Sequence, residues 1–294
     1  MRLIINPDKY IKPNILLNPF DHKVDYNTSS STNNILDYFK KKSTITKDGR
    51  EAICLSLIDV IKSNNINNLS VLIVTSSSSN YVSSCVTKSI EKYGTWTMDS
   101  SDSYNCIFLI HEFGCLANLP ENTISNVPLI EDFAPSFFLY KKSSVKSNYQ
   151  IFSFSKFFSV QEGGLVSGLQ NSNTSNYKLT DYTLSILQYE LNNLTSLVEK
   201  RNKNGNSIIN EFIKLGFLPF YDNYLQLIPW AVMIKNHKKI KDLEKLKLYF
   251  ENHGILMGIF YGNDSFYLPS HQNLDKFEID YIINVFKSFL ENEI

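Results

Sequence analysis

Residues 149–164 read Tyr-Gln-Ile-Phe-Ser-Phe-Ser-Lys-Phe-Phe-Ser-Val-Gln-Glu-Gly-Gly, and the predicted fold is organised around them. The stretch begins as an alternating run of aromatic and β-branched residues, which predicts a buried strand. Lys156 stands where that strand ends, and a Glu-Gly-Gly turn follows it. Burial of an unpaired amine is costly and lowers its pKa, and a neutral ε-amine is a nucleophile that forms Schiff bases. The alternative is a surface lysine before a glycine turn, and an isolated Ser-x-x-Lys pattern would favour it.

The length and composition are those of a chain with a large hydrophobic core and no charge bias. The 294 residues are 43% hydrophobic, and 29 basic side chains balance 29 acidic ones, so the formal net charge is zero. Without a basic excess, we expect no nucleic-acid partner. No apolar run approaches the roughly 20 residues that a membrane-spanning helix needs, and the first residues do not form a signal peptide. The sequence therefore predicts a soluble, cytoplasmic protein.

The cysteines and histidines indicate neither a disulfide framework nor a metal site. Cys54, Cys85, Cys106 and Cys115 lie in or beside apolar segments without a Cys-x-x-Cys spacing, so we expect buried, reduced thiols. No group of cysteine, histidine and aspartate residues has the spacing of metal ligands. We therefore predict no metal.

Strands and helices alternate in the first half of the chain. Strands are predicted at residues 70–75, 106–111 and 127–132. Helices are predicted at residues 52–61 and 81–90. Near-continuous apolar strands that alternate with helices indicate a mainly parallel sheet covered on both faces. Ligands bind beyond the carboxyl ends of the strands in such sheets. Asp132 ends the third strand, where an aspartate can also be a turn or capping residue.

The helix predicted after Asp48 offers a second candidate feature. Asp48 can cap this helix, and Gly49 at its N-terminus would let backbone N–H groups approach an anion. A plain capped core helix is the alternative interpretation.

The composition changes after a long amphipathic helix or helix pair at residues 178–215. Two strands are predicted at residues 225–234 and 255–260, and two helices at residues 239–252 and 275–290. We therefore predict three parts. They are an N-terminal arm of residues 1–47 with a short helix near residues 35–41, a large α/β domain of residues 48–200, and a small α+β domain of residues 201–294.

Seven segments carry a resemblance to one known family. They are Gly49-Arg50-Glu51-Ala52-Ile53, Asn80-Tyr81-Val82-Ser83-Ser84, His111-Glu112-Phe113-Gly114, Pro128-Leu129-Ile130-Glu131-Asp132-Phe133-Ala134, Phe152-Ser153-Phe154-Ser155-Lys156 with Glu162-Gly163-Gly164, Asn176-Tyr177-Lys178-Leu179-Thr180-Asp181, and Leu268-Pro269-Ser270-His271-Gln272-Asn273-Leu274. In their joint order they resemble the motifs of the DegT/DnrJ/EryC1/StrS family of sugar aminotransferases, which use pyridoxal 5′-phosphate (PLP). The resemblance implies the aspartate-aminotransferase-like fold (fold type I) of PLP enzymes, in which helices cover a mainly parallel sheet and a small α+β C-terminal domain follows.

The resemblance implies roles for three residues around the cofactor ring. Lys156 would hold PLP as a Schiff base and then carry the proton between the substrate carbon and the cofactor. Positioned proton transfer of this kind is typically worth about 10²–10⁴ in rate. Asp132 would pair with the protonated pyridine nitrogen and make the ring an electron sink. Tyr81 would stack on the ring face.

The resemblance also assigns residues to the phosphate and to a subunit interface. The backbone amides of Gly49 and Arg50 and the hydroxyl of Ser153 would hold the phosphate, and the Arg50 guanidinium suits phosphate oxygens. Asn176 would reach the phosphate of a neighbouring subunit, as the matching asparagine of the family does. A homodimer with shared active sites is therefore implied.

The first functional hypothesis is transamination of a nucleotide-linked keto-sugar, with glutamate as amino donor. The pathway would be surface-polysaccharide, lipopolysaccharide or deoxyamino-sugar biosynthesis. Relatives that deoxygenate sugars have a histidine in place of the lysine, so Lys156 argues against that reaction.

Two other hypotheses remain open. The first is a non-catalytic protein with this fold that binds a nucleotide sugar or a partner enzyme. Pro135 stands where the family commonly has Gln or His, the stretch from Gly164 to Asn176 is short, and residues 1–47 lack a family signature. The second is another PLP reaction, on a free amino acid or a cysteine-derived substrate, since a fold alone does not fix chemistry.

Overall fold

A seven-stranded sheet forms the larger layer of the molecule. The computed structural model describes residues 14–20, 35–39, 42–121, 123–124, 126–171 and 175–293. Its larger sheet consists of β1 (Ser43–Thr46), β2 (Leu69–Thr75), β3 (Gly94–Thr97), β4 (Cys106–Ile110), β5 (Leu129–Asp132), β6 (Tyr149–Ser153) and β7 (Gly164–Ser167). The spatial order is β1-β7-β6-β5-β4-β2-β3, and every pairing from β3 across to β6 is parallel, whereas β7 runs antiparallel to β6 and β1. The predicted mainly parallel sheet is therefore confirmed.

Helices α1 (Gly49–Ser63), α2 (Ser84–Ile90) and α3 (Asp181–Asn192) accompany this sheet, and α4 (Leu194–Lys214) follows α3 and packs on the second sheet. Asp48 caps helix α1, because its side chain accepts from the Glu51 N–H (2.9 Å). The Glu51 carboxylate in turn accepts from the N–H of Lys47, the residue before the cap (2.5 Å). The buried residues of α1 pack with the apolar residues of the central strands. The helix pair predicted at residues 178–215 is confirmed, with the break at Asn193.

A second, four-stranded sheet follows the long helix pair. It consists of β8 (Leu218–Pro219), β9 (Ala231–Lys235), β10 (Gly258–Phe260) and β11 (Ser265–Pro269), in the antiparallel order β10-β11-β9-β8, with α5 (Leu243–Asn252) and α6 (Lys276–Glu293). Phe212 of α4, Phe250 of α5 and Phe286 of α6 share its hydrophobic core. The expected α+β composition is present, and a domain boundary near residue 200 stays a prediction.

The strand predicted at residues 225–234 is partly wrong. Residues Tyr224–Gln226 form a 3-10 helix, and the strand begins only at Ala231. Leu225 is 60% exposed, so this apolar residue does not belong to a buried strand, although the sequence pattern suggested one.

Residues 14–20 of the N-terminal arm lie against the second sheet, whereas Ser43–Thr46 of the same arm form β1 of the larger sheet. Ile15 forms an isolated bridge with Ile255, and the carbonyl of Leu16 accepts a hydrogen bond from His271 Nε2 (3.1 Å). Of the short helix predicted near residues 35–41, Ile35 and Leu36 are helical, and positions 40 and 41 lie outside the described residues. Residues 14–20 are therefore tied to the C-terminal half of the chain.

The expectation of four buried thiols is wrong for three cysteines. All four are unpaired, but only Cys106 is fully buried, and Cys85 is exposed. The described residues contain no helix long and apolar enough to cross a membrane. They also contain no group of three or more histidine, cysteine, aspartate or glutamate residues that could hold a metal ion.

Candidate active site

Lys156 lies just beyond the carboxyl end of β6, in a 3-10 helix that spans Phe154–Lys156. The residue is half-buried, and its Nζ lies 4.8 Å from the centroid of the Trp230 ring. Burial lowers the pKa of the Lys156 amine, while the negative charges of Asp132, Cys85 and Glu112 act in the opposite direction. The amine is therefore shifted toward the neutral, nucleophilic form, as its place in the sequence suggests.

Asp132 lies at the carboxyl end of β5, next to the strand that leads to Lys156. In the sheet register it pairs with Ile110 of β4 on one side and Ile151 of β6 on the other. Its Oδ1 accepts a hydrogen bond from the Ala134 N–H (2.8 Å). Burial raises the pKa of the Asp132 carboxyl, and the Lys156 ammonium partly offsets that rise. The amine and the acid singled out in the sequence thus lie at the carboxyl ends of two neighbouring strands, close enough for their charges to interact.

The preceding residue of β5 points to the opposite face, as strand geometry requires. Glu131 is fully buried and accepts from Ser143 (2.6 Å) and Gln150 (3.2 Å), and its Oε1 lies 3.1 Å from His111 Nε2. The Ala117 N–H donates to His111 Nδ1 (3.0 Å), so Nε2 carries the proton that is shared with Glu131. Both ring nitrogens of His111 are occupied by structural contacts.

The first turn of α1 lies against the end of β6. A Cβ on Gly49 would come within 3.3 Å of the Ser153 Cβ and 3.7 Å of its Oγ, so glycine permits this close approach. Within the described residues, the N–H groups of Gly49 and Arg50 have no acceptor, whereas the Glu51 N–H is bound by Asp48. Two free amides and a hydroxyl therefore lie together. The Arg50 Nε lies 3.9 Å from the Asp48 carboxylate.

Tyr81 and Asn176 occupy more peripheral positions. Tyr81 is 36% exposed and packs on Phe260 (5.8 Å between centroids) and Tyr261 (5.7 Å) of the second sheet, whereas Trp230 is the ring over Lys156. Asn176 is exposed, one residue after Ser175, whose hydroxyl donates to Glu51 (2.9 Å). Asn176 therefore lies near the start of α1 of its own chain.

Arg201 is a fully buried residue of α4 that sequence reasoning missed. Its guanidinium donates to the carbonyls of Phe157 (3.3 Å), Pro229 (3.2 Å) and Trp230 (3.1 Å) and to the side chain of Gln272. It also lies 4.8 Å from the centroid of the Phe157 ring. The residue directly after Lys156 and the aromatic ring over its amine are thus held by one side chain.

Two further residues around the site were also missed. Trp230 precedes β9, and only a packed structure brings it to Lys156. Glu112 lies two residues beyond the end of β4 and is buried. An acid at the carboxyl end of an apolar strand is the signal that selected Asp132, so Glu112 could have been found by a similar argument.

A cleft of about 330 Å³ opens beside the lysine loop. It lies between the N-terminal segment and the residues that follow Lys156. Its polar lining consists of Asn18, Ser155 and Gln161, and Trp230 forms part of its wall. The Trp230 indole N–H donates to Asn18 (2.9 Å), so the ring over the amine is also fixed from the cleft side.

The likeness of this chain to known proteins lies in its structure, since neither a protein-family model nor a curated protein matches the sequence. The proposed sugar aminotransferase Spr1654 of Streptococcus pneumoniae, in its apo form, is 13% identical with a TM-score of 0.65 over 90% of this chain and 92% of that chain. A DegT DnrJ EryC1 StrS aminotransferase from Brucella abortus is 14% identical with a TM-score of 0.64, over 87% and 88%. The E. coli GDP-4-keto-6-deoxy-D-mannose-3-dehydratase with bound hydrated PLP is 14% identical with a TM-score of 0.63, over 86% and 90%.

These likenesses extend over most of both chains in each pair, and at this level of identity they define the fold. The protein has the fold type I architecture of the PLP-dependent aminotransferases, and the predicted fold class is confirmed. The resemblance to sugar aminotransferases read from the sequence motifs agrees with the structures that the chain is similar to.

Proposed function

We propose that this protein is a PLP-dependent aminotransferase that acts on a nucleotide-linked keto-sugar, with glutamate as the amino donor. The meeting of Lys156 and Asp132 at the carboxyl edge of a parallel sheet is the observation that carries the proposal. Burial lowers the pKa of the amine and raises that of the acid, and perturbed pKa values of this kind are typical of a reactive site. The likeness to a proposed sugar aminotransferase of Streptococcus pneumoniae supports the substrate class.

The side chains present at the site fit PLP. Asp132 would hold the proton on the pyridine nitrogen, and the buried amine of Lys156 would hold the cofactor. The free N–H groups of Gly49 and Arg50, beside the Ser153 hydroxyl, would bind the phosphate at the start of a helix. When bound, PLP supplies an electron sink for the loss of a proton from the substrate carbon.

The residues of the chain itself would then perform the proton transfer. Because burial lowers the pKa of Lys156, its amine can take a proton from the substrate carbon and return it, which is general base and general acid catalysis. The Trp230 ring, 4.8 Å from Nζ, limits the access of water to the amine. The cleft beside this ring is where we expect the substrate to enter.

The finer features of the proposal come from the resemblance. We propose a cytoplasmic homodimer with shared active sites, in which Asn176 and Tyr81 contribute to the cofactor site, and a role in surface-polysaccharide, lipopolysaccharide or deoxyamino-sugar biosynthesis. We also propose a large domain of residues 48–200 and a small domain of residues 201–294.

A non-catalytic protein of the same fold is the second candidate. The start of α1 carries Asp48 as its cap and Glu51 in its first turn, so two carboxylates lie where the phosphate would bind. Like charges near an anion weaken its binding. Retained PLP binding without turnover of any keto-sugar would favour this candidate.

Absorbance after the addition of PLP tests the proposal. We expect the visible band of protein-bound PLP in the unchanged protein and in Lys146→Ala, which alters an exposed lysine. Lys156→Ala should lose the band, and Asp132→Asn should keep a band but lose turnover with glutamate and a panel of nucleotide keto-sugars. A band that survives Lys156→Ala would refute the assigned lysine.

A further inference from the structure

Glu112 is a second acid at the edge of the sheet that carries the proposed active site. It lies two residues beyond the end of β4, which pairs with the strand of Asp132, and its side chain is buried, with 7% of the residue exposed. The Ser77 N–H donates to its Oε2 (3.1 Å). Burial of a carboxylate is costly unless it is paired.

The backbone after Glu112 is held in an unusual conformation. Phe113 has φ 47°, in the left-handed region that residues with a side chain rarely adopt. A Cβ on Gly114, at φ 79°, would come within 2.7 Å of the Ile228 backbone, so the turn is pressed against the chain that leads into β9. The Phe113 ring stacks on Trp230 at 5.9 Å, and Trp230 in turn covers Lys156. Strained turns of this kind persist where the surrounding structure fixes them, often at functional sites.

Charged and titratable groups reach Glu112 from each element packed around it. Burial raises the pKa of the Glu112 carboxyl, Asp132 adds to that rise, and the Ser77 bonds and the Lys156 charge oppose it. The negative charge of Glu112 also raises the pKa values of Cys115 and of Tyr221, in both cases after burial as the larger cause. The groups that raise the pKa of Lys156 against its burial are Asp132, Cys85 and Glu112. The geometry agrees, because Glu112 and Asp132 lie at the carboxyl ends of neighbouring strands and the residue after Glu112 stacks on the ring that covers the amine.

We propose that Glu112 is the second acid of the active site, which compensates the positive charge of the Lys156 amine together with Asp132 in the cofactor-free protein and takes over this role when Asp132 is engaged by the cofactor. The inference rests on the proposed function, in which the ring nitrogen of PLP occupies Asp132. Glu112 is then the carboxylate left to compensate the positive charge at the lysine. Since it acts through Lys156, Glu112 is a positioning residue.

A purely structural role makes a different prediction for one substitution. The Ser77 N–H needs only an oxygen acceptor, and the side-chain amide of a glutamine offers one of the same shape. Glu112→Gln therefore keeps the hydrogen bond and removes the charge. If Glu112 only satisfies the Ser77 N–H, this substitution leaves Lys156 unchanged.

The test measures the pKa of Lys156 in the full chain without cofactor. Each protein is labelled with a trace of acetic anhydride between pH 6 and 11, and the acetylated Lys156 peptide is quantified by mass spectrometry. An opposite charge within a few ångströms moves a pKa by about 1–3 units. We expect the apparent pKa of Lys156 to fall by about one unit or more in Glu112→Gln.

Two variants serve as controls. Glu131→Gln changes a buried glutamate on the opposite face of β5, and it should leave the Lys156 pKa unchanged. Glu112→Asp keeps the charge but shortens the side chain, and it should restore most of the Lys156 pKa. Thermal unfolding identifies variants that do not fold. If Glu112→Gln does not fold, Glu112→Ala is measured in its place.

A Lys156 pKa that is equal in the unchanged protein and in Glu112→Gln overturns the inference. So does an equal fall in Glu112→Gln and Glu112→Asp, because the charge would then be irrelevant. The labelling uses no cofactor, so a failure to bind PLP refutes the proposed function and leaves the role of Glu112 to be judged on the Lys156 pKa alone.

Discussion

Replacement of Arg201 by methionine should destabilise the protein strongly, and the structure sets the magnitude. The guanidinium is fully buried and donates to the backbone carbonyls of Phe157, Pro229 and Trp230. Burial lowers the pKa of Arg201, and the nearby Glu190 carboxylate opposes that change. Holding the cation therefore costs free energy that its hydrogen bonds must offset.

Methionine fills most of the volume but donates no hydrogen bonds. The carbonyls of Pro229 and Trp230 would lose the guanidinium donor, whereas that of Phe157 keeps the Gln272 amide (2.9 Å). Each buried polar group left unsatisfied costs about 1–3 kcal/mol. Glu190 would keep its two bonds from Ser159 (2.7 Å each) but lose the nearby cation. Loss of one partner of a buried charged network typically costs about 3–5 kcal/mol. We expect Arg201→Met to lower the free energy of unfolding by that amount, out of a total of about 5–15 kcal/mol.

Urea unfolding followed by circular dichroism measures this difference. Lys200→Met, an exposed neighbour on α4, is the matched control and should change the free energy of unfolding by no more than about 0.5 kcal/mol. The double variant Arg201→Met/Glu190→Gln should cost less than the sum of the single changes, because the two groups share one network. A loss below about 1 kcal/mol in Arg201→Met would refute the reasoning, since it would mean that the carbonyls find other donors.

Two further predictions concern acid stability and the proposed phosphate site. Burial lowers the pKa of His271 to about 3. Between pH 6.5 and 3, the unfolded chain therefore binds a proton that the native protein does not. As the pH is lowered through this range, the free energy of unfolding decreases by about 1.4 kcal/mol per pH unit. His271→Gln should therefore lose about 2–3 kcal/mol less than the unchanged protein between pH 6.5 and 4.5 in urea titrations, and parallel losses would contradict the assignment. Ser153→Ala should weaken PLP binding by about tenfold or more through loss of a hydrogen bond to a charged group, but leave the binding of pyridoxal, which lacks the phosphate, unchanged. Equal weakening for both ligands, measured by titration of the visible band, would argue against a phosphate contact.

The larger sheet could be predicted because its central strands are buried on both faces and read as continuous apolar runs. The strands that sequence reasoning missed are short or half-exposed. Ser43–Thr46 is a four-residue strand with only two buried positions, and Gly94–Thr97 is an edge strand with none. Their sequences carry little hydrophobic signal, because the tertiary pairing and not the pattern makes them strands.

The two central site residues could be predicted for a local reason, since Lys156 and Asp132 each stand at or just beyond the end of an apolar strand. Trp230 and Arg201 could not be predicted, because they reach the lysine from distant parts of the chain. The ring of Tyr81 packs on Phe260 and Tyr261, and its stacking on the cofactor ring stays a prediction.

The pleat of β5 directs two adjacent carboxylates to opposite faces of the sheet. Glu131 accepts hydrogen bonds around His111, while Asp132, the next residue, lies on the side of Lys156. A strand that slips by one residue turns every side chain to the other face. A single-residue insertion or deletion in this strand would therefore turn Glu131 toward the active site and Asp132 away from it. Evolution can consequently vary the length of the loops that flank β5 far more freely than the length of β5 itself.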